Sequence, residues 1–269
     1  MSPALRQRLT GMSDIECLAA SAQRLGALHQ IGRPLLLVNV WDAAGARAVV
    51  AAGSLAVATS SVAMAAARGG SDGNLEREAA FAQLGQITSA VDVPVTADLE
   101  GGYDLDADEL VDALLGAGAV GCNIEDTDYA TGDRLLDAEK RAGYLAGIRA
   151  AADGRGVPIV VNARIDVIIR HPQRDPAAAM DEVLRRARLY LDAGADCVYP
   201  IGLRDPALVA PLVKELDRPV NVNPSDPLGA LAEAGAARIS LGGGVHNWMM
   251  GELERRARRL LAGDATAFA

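Results

Sequence analysis

The sequence predicts an α/β fold, a (β/α)8 TIM barrel with one additional N-terminal helix, and three observations carry that prediction. Eight short apolar stretches recur about 30 residues apart, the spacing of one strand, one helix and their connections. Segments with the 3.6-residue period of helices, rich in Ala, Leu, Arg and Glu, separate them, so strand and helix alternate throughout. Polar residues collect at the far end of almost every stretch, where the chemistry of such a barrel resides. The 269 residues suit one complete barrel, which needs roughly 250, so residues 1–269 are expected to form a single domain.

The chain opens with MSPALRQRLTGM, which lacks the apolar core of a secretory signal. Residues 14–30 (DIECLAASAQRLGALHQ) read as a helix capped by Ser13 or Asp14 and placed to cover the bottom of the barrel. The strands follow at 35–42 (LLLVNVWD), 54–61 (SLAVATSS), 93–100 (VPVTADLE), 119–126 (AVGCNIED), 158–166 (PIVVNARID), 195–202 (ADCVYPIG), 219–225 (PVNVNPS) and 237–244 (ARISLGGG). Glycine or proline marks several strand beginnings, at 32–34, Pro94, Pro158 and Pro219. Segments 68–74 (RGGSDGN) and 127–133 (TDYATGD) have the composition of ligand-facing loops. A helix over 246–261 completes the eighth unit. Its Arg255, Arg256, Arg258 and Arg259 lie among Glu252 and Glu254, which suits a solvated face or a subunit contact.

Composition removes several function classes. A net charge of -9 argues against nucleic acid, whose binding needs clustered positive charge. No run reaches the roughly 18 apolar residues of a membrane span, so a soluble, cytoplasmic protein is expected. Cys17, Cys122 and Cys197 are far apart in apolar surroundings and read as core thiols, with neither metal spacing nor a disulfide framework. The two lysines, Lys140 and Lys214, fall in helical segments, which disfavours a Schiff-base enzyme with its lysine at a strand end. His29, His171 and His246 lie outside the strands, which disfavours a zinc site or a histidine-based triad.

Strand ends supply carboxylates, an arginine, asparagines and serines instead. Asp98 and Glu100 are two apart at the end of the third strand, so they are expected to project together. Adjacent carboxylates repel unless a cation lies between them, and a hard divalent ion such as magnesium is the natural partner. Glu125 and Asp126 on the fourth strand and Asp72 after the second add to the acidity; the alternative is that these acids cap the following helices. On the fifth strand Asn162, Arg164 and Asp166 face one way, and Arg164 offers a fork for a carboxylate or phosphoryl group unless it is a structural partner of Asp166 or Glu125. Asn221 and Asn223 repeat the spacing on the seventh strand; Asn223 either orients a substrate carboxylate or serves the turn at Pro224. Ser60, Ser61 and Val62 bring hydroxyls and backbone amides to the same rim, where free N–H groups can hold a developing enolate oxygen.

In order and spacing, VNVWDAAGARAVVAAG, ATSSVAMAA with SDG, VTADLEGGY, NIEDT, VNARID and VNVNP resemble the isocitrate lyase/phosphoenolpyruvate mutase superfamily, in its branch of smaller mutase-like proteins. The match runs from about Leu35 to the final helix. The resemblance implies that Asp72, Asp98, Glu100 and Glu125 form a Mg2+ site, with Mn2+ as the alternative ion and some acids acting through metal-bound water. It implies that Arg164 grips a carboxylate or phosphonate, and that Ser60, Ser61 and Val62 hold the 2-oxo-acid. It also implies a homo-oligomer, a dimer or tetramer whose final helix is exchanged between subunits, unless that helix packs on its own barrel.

Departures from the pattern are specific. The lyases' Lys-Lys-Cys-Gly-His type loop reads TDYATGDRLLDAEKRAG here, without Cys or His, and the longer gating loop of the mutases is missing too. Their histidine near the end of the sixth strand is Pro200, and Asp104 stands where Gly-Tyr-Gly has its second glycine. The expected activity is therefore Mg-dependent cleavage or formation of a C–C or C–P bond in a small 2-oxo-acid or related hydroxy-carboxylate through a pyruvate-type enolate. Ser60, Ser61, Glu125 and Arg164 are the expected catalytic residues, and Ser60, Ser61, Val62, Asp98, Arg164 and Asn223 the substrate contacts. Decarboxylation or hydrolytic cleavage of an oxaloacetate-like substrate needs least beyond the metal platform. A phosphoenolpyruvate/phosphonopyruvate mutase and a non-catalytic metabolite-binding barrel are the alternatives.

Overall fold

The computed structural model describes residues 13–129, 132, 134–170 and 175–269. The opening segment 1–12, His171, and Ala130, Thr131 and Asp133 of the 127–133 loop lie outside the described residues.

Strands form where the apolar stretches predict them. They are Leu35–Leu37 (β1), Asn39–Val40 (β2), Val57–Thr59 (β3), Val95–Asp98 (β4), Gly121–Glu125 (β5), Thr127–Asp128 (β6), Arg134–Leu135 (β7), Val160–Ile165 (β8), Cys197–Pro200 (β9), Asn221–Val222 (β10) and Arg238–Ser240 (β11). One parallel sheet runs β2-β3-β4-β5-β8-β9 and another β1-β11-β10. Chain continuity from β1 to β2 joins them on one side. On the other, Val198 of β9 bridges Val220 in parallel, its N–H donating to the Pro219 carbonyl at 3.2 Å. Pairing therefore runs around a closed ring of eight, with 35–40 as one strand that pairs β11 in its first half and β3 in its second. A stagger of this kind is what barrel closure demands.

The helices are Asp14–Ala27 (α1), Ala43–Ala51 (α2), Ser61–Ala67 (α3), Arg77–Ser89 (α4), Ala107–Gly116 (α5), Ala138–Gly154 (α6), Val167–Arg170 (α7), Pro176–Asp192 (α8), Pro206–Leu216 (α9), Leu228–Glu233 (α10) and Gly244–Leu261 (α11). α1 starts at a capping box, with the Ser13 hydroxyl accepting from the Glu16 N–H and Glu16 accepting from the Ser13 N–H. It plugs the barrel bottom as predicted. A Cβ on the inward Gly121 would come within 2.7 Å of Leu25 Cδ2, so the glycine makes room for the plug. The helix ends three residues earlier than expected, at Ala27, where the Leu28 and His29 N–H groups turn back to Leu25 and Gly26.

The outer helices bury one face each: Leu84 and Ile87 of α4, Leu110 and Leu114 of α5, Leu145 and Ile148 of α6, Val183 and Tyr190 of α8. Each such side chain contributes about 1.5–3 kcal/mol of burial. α11 departs from this. Of its 18 residues only His246 is buried, against the Trp41 ring, while Trp248 is 68% and Leu261 87% exposed. Leu36 of the barrel wall is 49% exposed, so the wall it belongs to is incompletely covered.

One feature of the loops was not expected. β6 and β7 pair antiparallel, Thr127 with Leu135 and Asp128 with Arg134, as the two arms of a small hairpin.

Candidate active site at the barrel mouth

The acids of the strand ends and of the loops that follow them divide into two groups. Asp42, Asp106, Asp137, Asp175 and Asp205 are helix N-caps, each accepting a backbone N–H from the first turn it precedes. Asp72, Asp98, Glu100, Glu125 and Asp126 cap none of the helices whose caps are described, so the capping alternative does not hold for them.

Asp98 closes β4 and is held rigidly. Its Oδ2 accepts from the Ser61 N–H at 3.1 Å and the Ser61 hydroxyl at 2.9 Å, and its own N–H donates to Thr59 Oγ1 at 2.9 Å. Its other carboxylate oxygen has no protein partner among the described residues. Ser61 is thereby corrected: its amide serves Asp98 and is not free for an enolate oxygen. The Ser60 N–H goes to the Val40 carbonyl, and the Ser60 hydroxyl caps α3 through the Ala63 N–H. The Val62 amide has no partner among the described residues. A Cβ on Gly243 would meet Val62 Cγ1 at 2.7 Å, so the glycine run after β11 lets the loop close onto Val62. Asn39 fixes that loop, accepting from the Leu241 and Gly242 N–H groups at 2.9 and 2.8 Å.

Glu100 reaches the mouth by a different route from the predicted strand alternation. β4 ends at Asp98, and Glu100 adopts φ 51° in a turn where Tyr103 and Asp104 are also left-handed, at 52° and 56°. Three non-glycine residues at positive φ store strain at the rim. Asp104 keeps the turn that the glycine of the related motif would make, since Asp tolerates this region better than most. The Glu100 side chain is buried with Oε1 unpartnered. Burial first, then Asp98 and Asp72, pushes its pKa up to about 8, with Arg164 opposing. The Tyr103 hydroxyl approaches and eases that rise without full hydrogen-bond geometry.

Arg164 and Glu125 face each other across the β5–β8 register. Nη1 of Arg164 pairs with Glu125, while Nε and Nη2 grip Asp166 at 2.7 and 3.0 Å. The expected structural pairing thus exists with both acids. Two of the five guanidinium N–H groups are hydrogen-bonded to Asp166 and Nη1 lies against Glu125 without hydrogen-bond geometry, so two N–H groups are left clear of both acids. Glu125 is raised by burial, with Arg164 opposing and Asp166 and Asp98 adding to the rise. Asp72, at the exposed rim, is raised by partial desolvation, with Asp98 and Asp166 adding and Arg164 opposing. The four predicted metal-site acids therefore share one mouth and one field. Among the described residues, however, no three His, Cys, Asp or Glu side chains converge closely enough to ligate one ion directly.

Asp126, two positions from the hairpin's Asp128, takes no part in the mouth. Its Oδ1 accepts the Asp166 N–H at 2.8 Å, and its Oδ2 accepts from Arg186 at 2.9 Å and Tyr190 at 2.8 Å, tying α8 to the barrel. Asn223 is likewise committed at both ends, accepting from the Gly202 N–H at 2.7 Å and donating to the Tyr199 hydroxyl at 2.9 Å. It keeps one N–H for a ligand.

The sequence assigns Tyr103 no role, and it marks Tyr129 only as the one neutral candidate proton donor of its loop. Tyr129 lays its ring on Gly73, where a Cβ would meet Cδ1 at 2.6 Å, and so packs the hairpin against the loop carrying Asp72. Its buried hydroxyl lies near Glu125, and burial and that carboxylate push its pKa far up. No periodic signal marks either tyrosine. A cavity of about 1090 Å3 runs outward from Glu100, Tyr103 and Tyr129 to Arg141 and Tyr144, giving the mouth a side opening.

Comparison with known proteins agrees with this architecture. A solved structure from Burkholderia cenocepacia J2315, provisionally named a phosphonomutase, superposes with a TM-score of 0.84 at 38% identity, covering 90% of this chain and 99% of that one. The uncharacterized protein Rv1998c of Mycobacterium tuberculosis strain H37Rv is 31% identical over 217 residues, 80% of each chain. An oxaloacetate decarboxylase of Rhodopseudomonas palustris strain CGA009 is 28% identical over 164 residues, 59% of this chain and 55% of the relative. The model of the phosphoenolpyruvate phosphomutase family matches residues 25–261, from the α1 plug to the end of α11. Since that span takes in every strand of the ring and every acid of the mouth, the chain belongs to the phosphoenolpyruvate phosphomutase family of the isocitrate lyase/phosphoenolpyruvate mutase superfamily.

Proposed function

We propose that the chain is a Mg2+-dependent enzyme that breaks a C–C bond at the carbon alpha to the ketone of a small oxaloacetate-like 2-oxo-acid, either by decarboxylation to CO2 and a pyruvate-type enolate or by hydrolytic cleavage to oxalate and acetate. The observation that carries this is Asp98: one carboxylate oxygen is locked by Ser61, and the other has no partner among the described residues of an acid-rich mouth. The residues fit a hydrated magnesium ion, which commonly touches only one or two carboxylates and keeps its waters. Asp98 would hold it directly, with Asp72, Glu100 and Glu125 acting on its waters, which accords with the lack of a tighter acid cluster. The raised Glu100 carboxyl, with its buried unpartnered oxygen, is the kind of site a cation relieves. When bound, the ion supplies a Lewis acid for the 2-oxo oxygen.

The chain's own residues do the rest. Arg164, fixed by Asp166 and Glu125, directs its two remaining N–H groups at the substrate's anionic end. The Val62 amide faces the enolate oxygen, and Ser60 and Ser61 hold that segment in place. Asn223 supplies its remaining N–H to a carboxylate. Isocitrate-type cleavage needs a proton donor on the 127–135 loop, and Tyr129, with its pKa driven upward by burial and Glu125, is a poor one. A mutase acting on phosphonopyruvate is the second reading, favoured by the Burkholderia structure at 38% identity.

Assembly is proposed on similar grounds. The exposed apolar row of α11, with Trp248, Met249, Leu253, Leu260 and Leu261, and the exposed Leu36 of the barrel wall suit a homo-oligomer in which subunits exchange this helix.

Steady-state assays with Mg2+ should compare oxaloacetate, phosphonopyruvate, isocitrate and methylisocitrate. Release of pyruvate and CO2, or of oxalate and acetate, from oxaloacetate supports the leading reading, and phosphoenolpyruvate from phosphonopyruvate the second. Efficient glyoxylate release from isocitrate contradicts both, and ligand binding without turnover leaves a metabolite-binding barrel.

A further inference from the structure

The floor of the mouth holds an amide whose direction is set from below. Asn123 is two residues before Glu125 on β5 and so shares its inward face, beside Asp98 in the β4–β5 register and Asn162 in the β5–β8 register. Its Oδ1 accepts from Asn162 Nδ2 at 2.8 Å and from Arg238 Nη2 at 3.0 Å. Arg238, from β11, is fully buried inside the barrel. A guanidinium has donors only, so the end of the amide that faces it must be the oxygen. The Asn123 NH2 group is thereby turned away from Arg238. That group donates to nothing among the described residues and is not sealed from solvent, whereas Asn162 and Arg238 beneath it are. In a closed barrel plugged at its bottom by α1, the solvent that reaches it comes from the mouth.

The arrangement is expensive for a purely structural device. Arg238 keeps Nε and Nη1 buried without partners, and no carboxylate among the described residues pairs with it. An apolar side chain would fill the same space without the penalty of an unpaired buried charge. What Arg238 secures in return is a pair of N–H donors on the inward face of β5, level with Asp98 and two residues before Glu125.

We propose that Asn123 is a substrate-binding residue that donates from Nδ2 to an anionic oxygen of the bound oxo-acid, and that Arg238 is the positioning residue that aims it. This rests on the metal and oxo-acid reading above. Oxalate, a mimic of the enolate's two oxygens, is the probe.

Calorimetry of oxalate binding with Mg2+ should be run on the wild-type protein, Asn123→Ala, Asn123→Asp and Arg238→Gln, with thermal unfolding alongside. Asn123→Asp retains the shape and the acceptor for Arg238 but replaces the donor with oxygen. Asn123→Ala is expected to weaken oxalate binding about tenfold or more, the factor that one hydrogen bond to a charged group carries. Asn123→Asp should weaken it further without lowering the melting temperature, and Arg238→Gln should weaken it while Mg2+ binding alone is retained. Wild-type oxalate affinity in both Asn123 variants would overturn the inference and leave the metal reading standing. Failure of the wild-type protein itself to bind oxalate with Mg2+ would overturn the reading on which the inference rests, and the inference with it.

Discussion

Glu100 makes the electrostatics of the mouth measurable. In the metal-free protein its pKa is about 8 against an ordinary 4.5, because its carboxyl is buried beside Asp98 and Asp72. A carboxyl raised in the folded state keeps its proton there while the unfolded chain releases it, so stability falls as pH rises from about 4.5 to about 8. Above that window the loss is complete. One pKa unit corresponds to about 1.4 kcal/mol, and with relaxation and water entry the loss from this group is on the order of a few kcal/mol. Glu100→Gln mimics the protonated acid and does not titrate. In urea unfolding with EDTA at pH 5, 6.5 and 8, the wild-type protein should lose a few kcal/mol relative to Glu100→Gln. Mg2+ should restore much of that difference at pH 8. Parallel stability profiles for the two proteins would refute the assigned crowding at this site.

Arg186→Met should destabilise the fold by about 3–5 kcal/mol at pH 7, because it strips the buried Asp126 of its charged partner; denaturant unfolding reads this directly. Light scattering at micromolar concentration should report a dimer or tetramer, and Trp248→Glu with Leu261→Glu should shift it toward monomer; a monomeric wild-type mass contradicts the assigned role of α11.

The barrel was legible because strands alternating with helices leave a strong periodic trace, and all eight strands fall inside their predicted stretches. The acidic mouth was legible for the same reason, since Asp98, Glu125 and Arg164 each sit at a strand end. Glu100 was found for a reason that does not hold, as two-residue alternation stops at Asp98 and a left-handed turn completes the approach. Asn123 lay open to the rule that picked out Asp98, being two residues from Glu125, but an uncharged amide drew no notice. The role of Asp126 could not be read, because Arg186 and Tyr190 come to it from a helix 60 and more residues away. The apolar stripe of α11 was legible, but whether its own barrel covers it was not, and in the fold it stays exposed.

The central claim is that Asp98 organises a Mg2+ site for an oxo-acid. Calorimetric titration of oxalate into Asp98→Ala with saturating Mg2+, beside the wild-type protein, tests it most directly. The account predicts clear Mg2+-dependent binding to the wild-type protein and none to a folded Asp98→Ala. Equal affinity in the two proteins would contradict it.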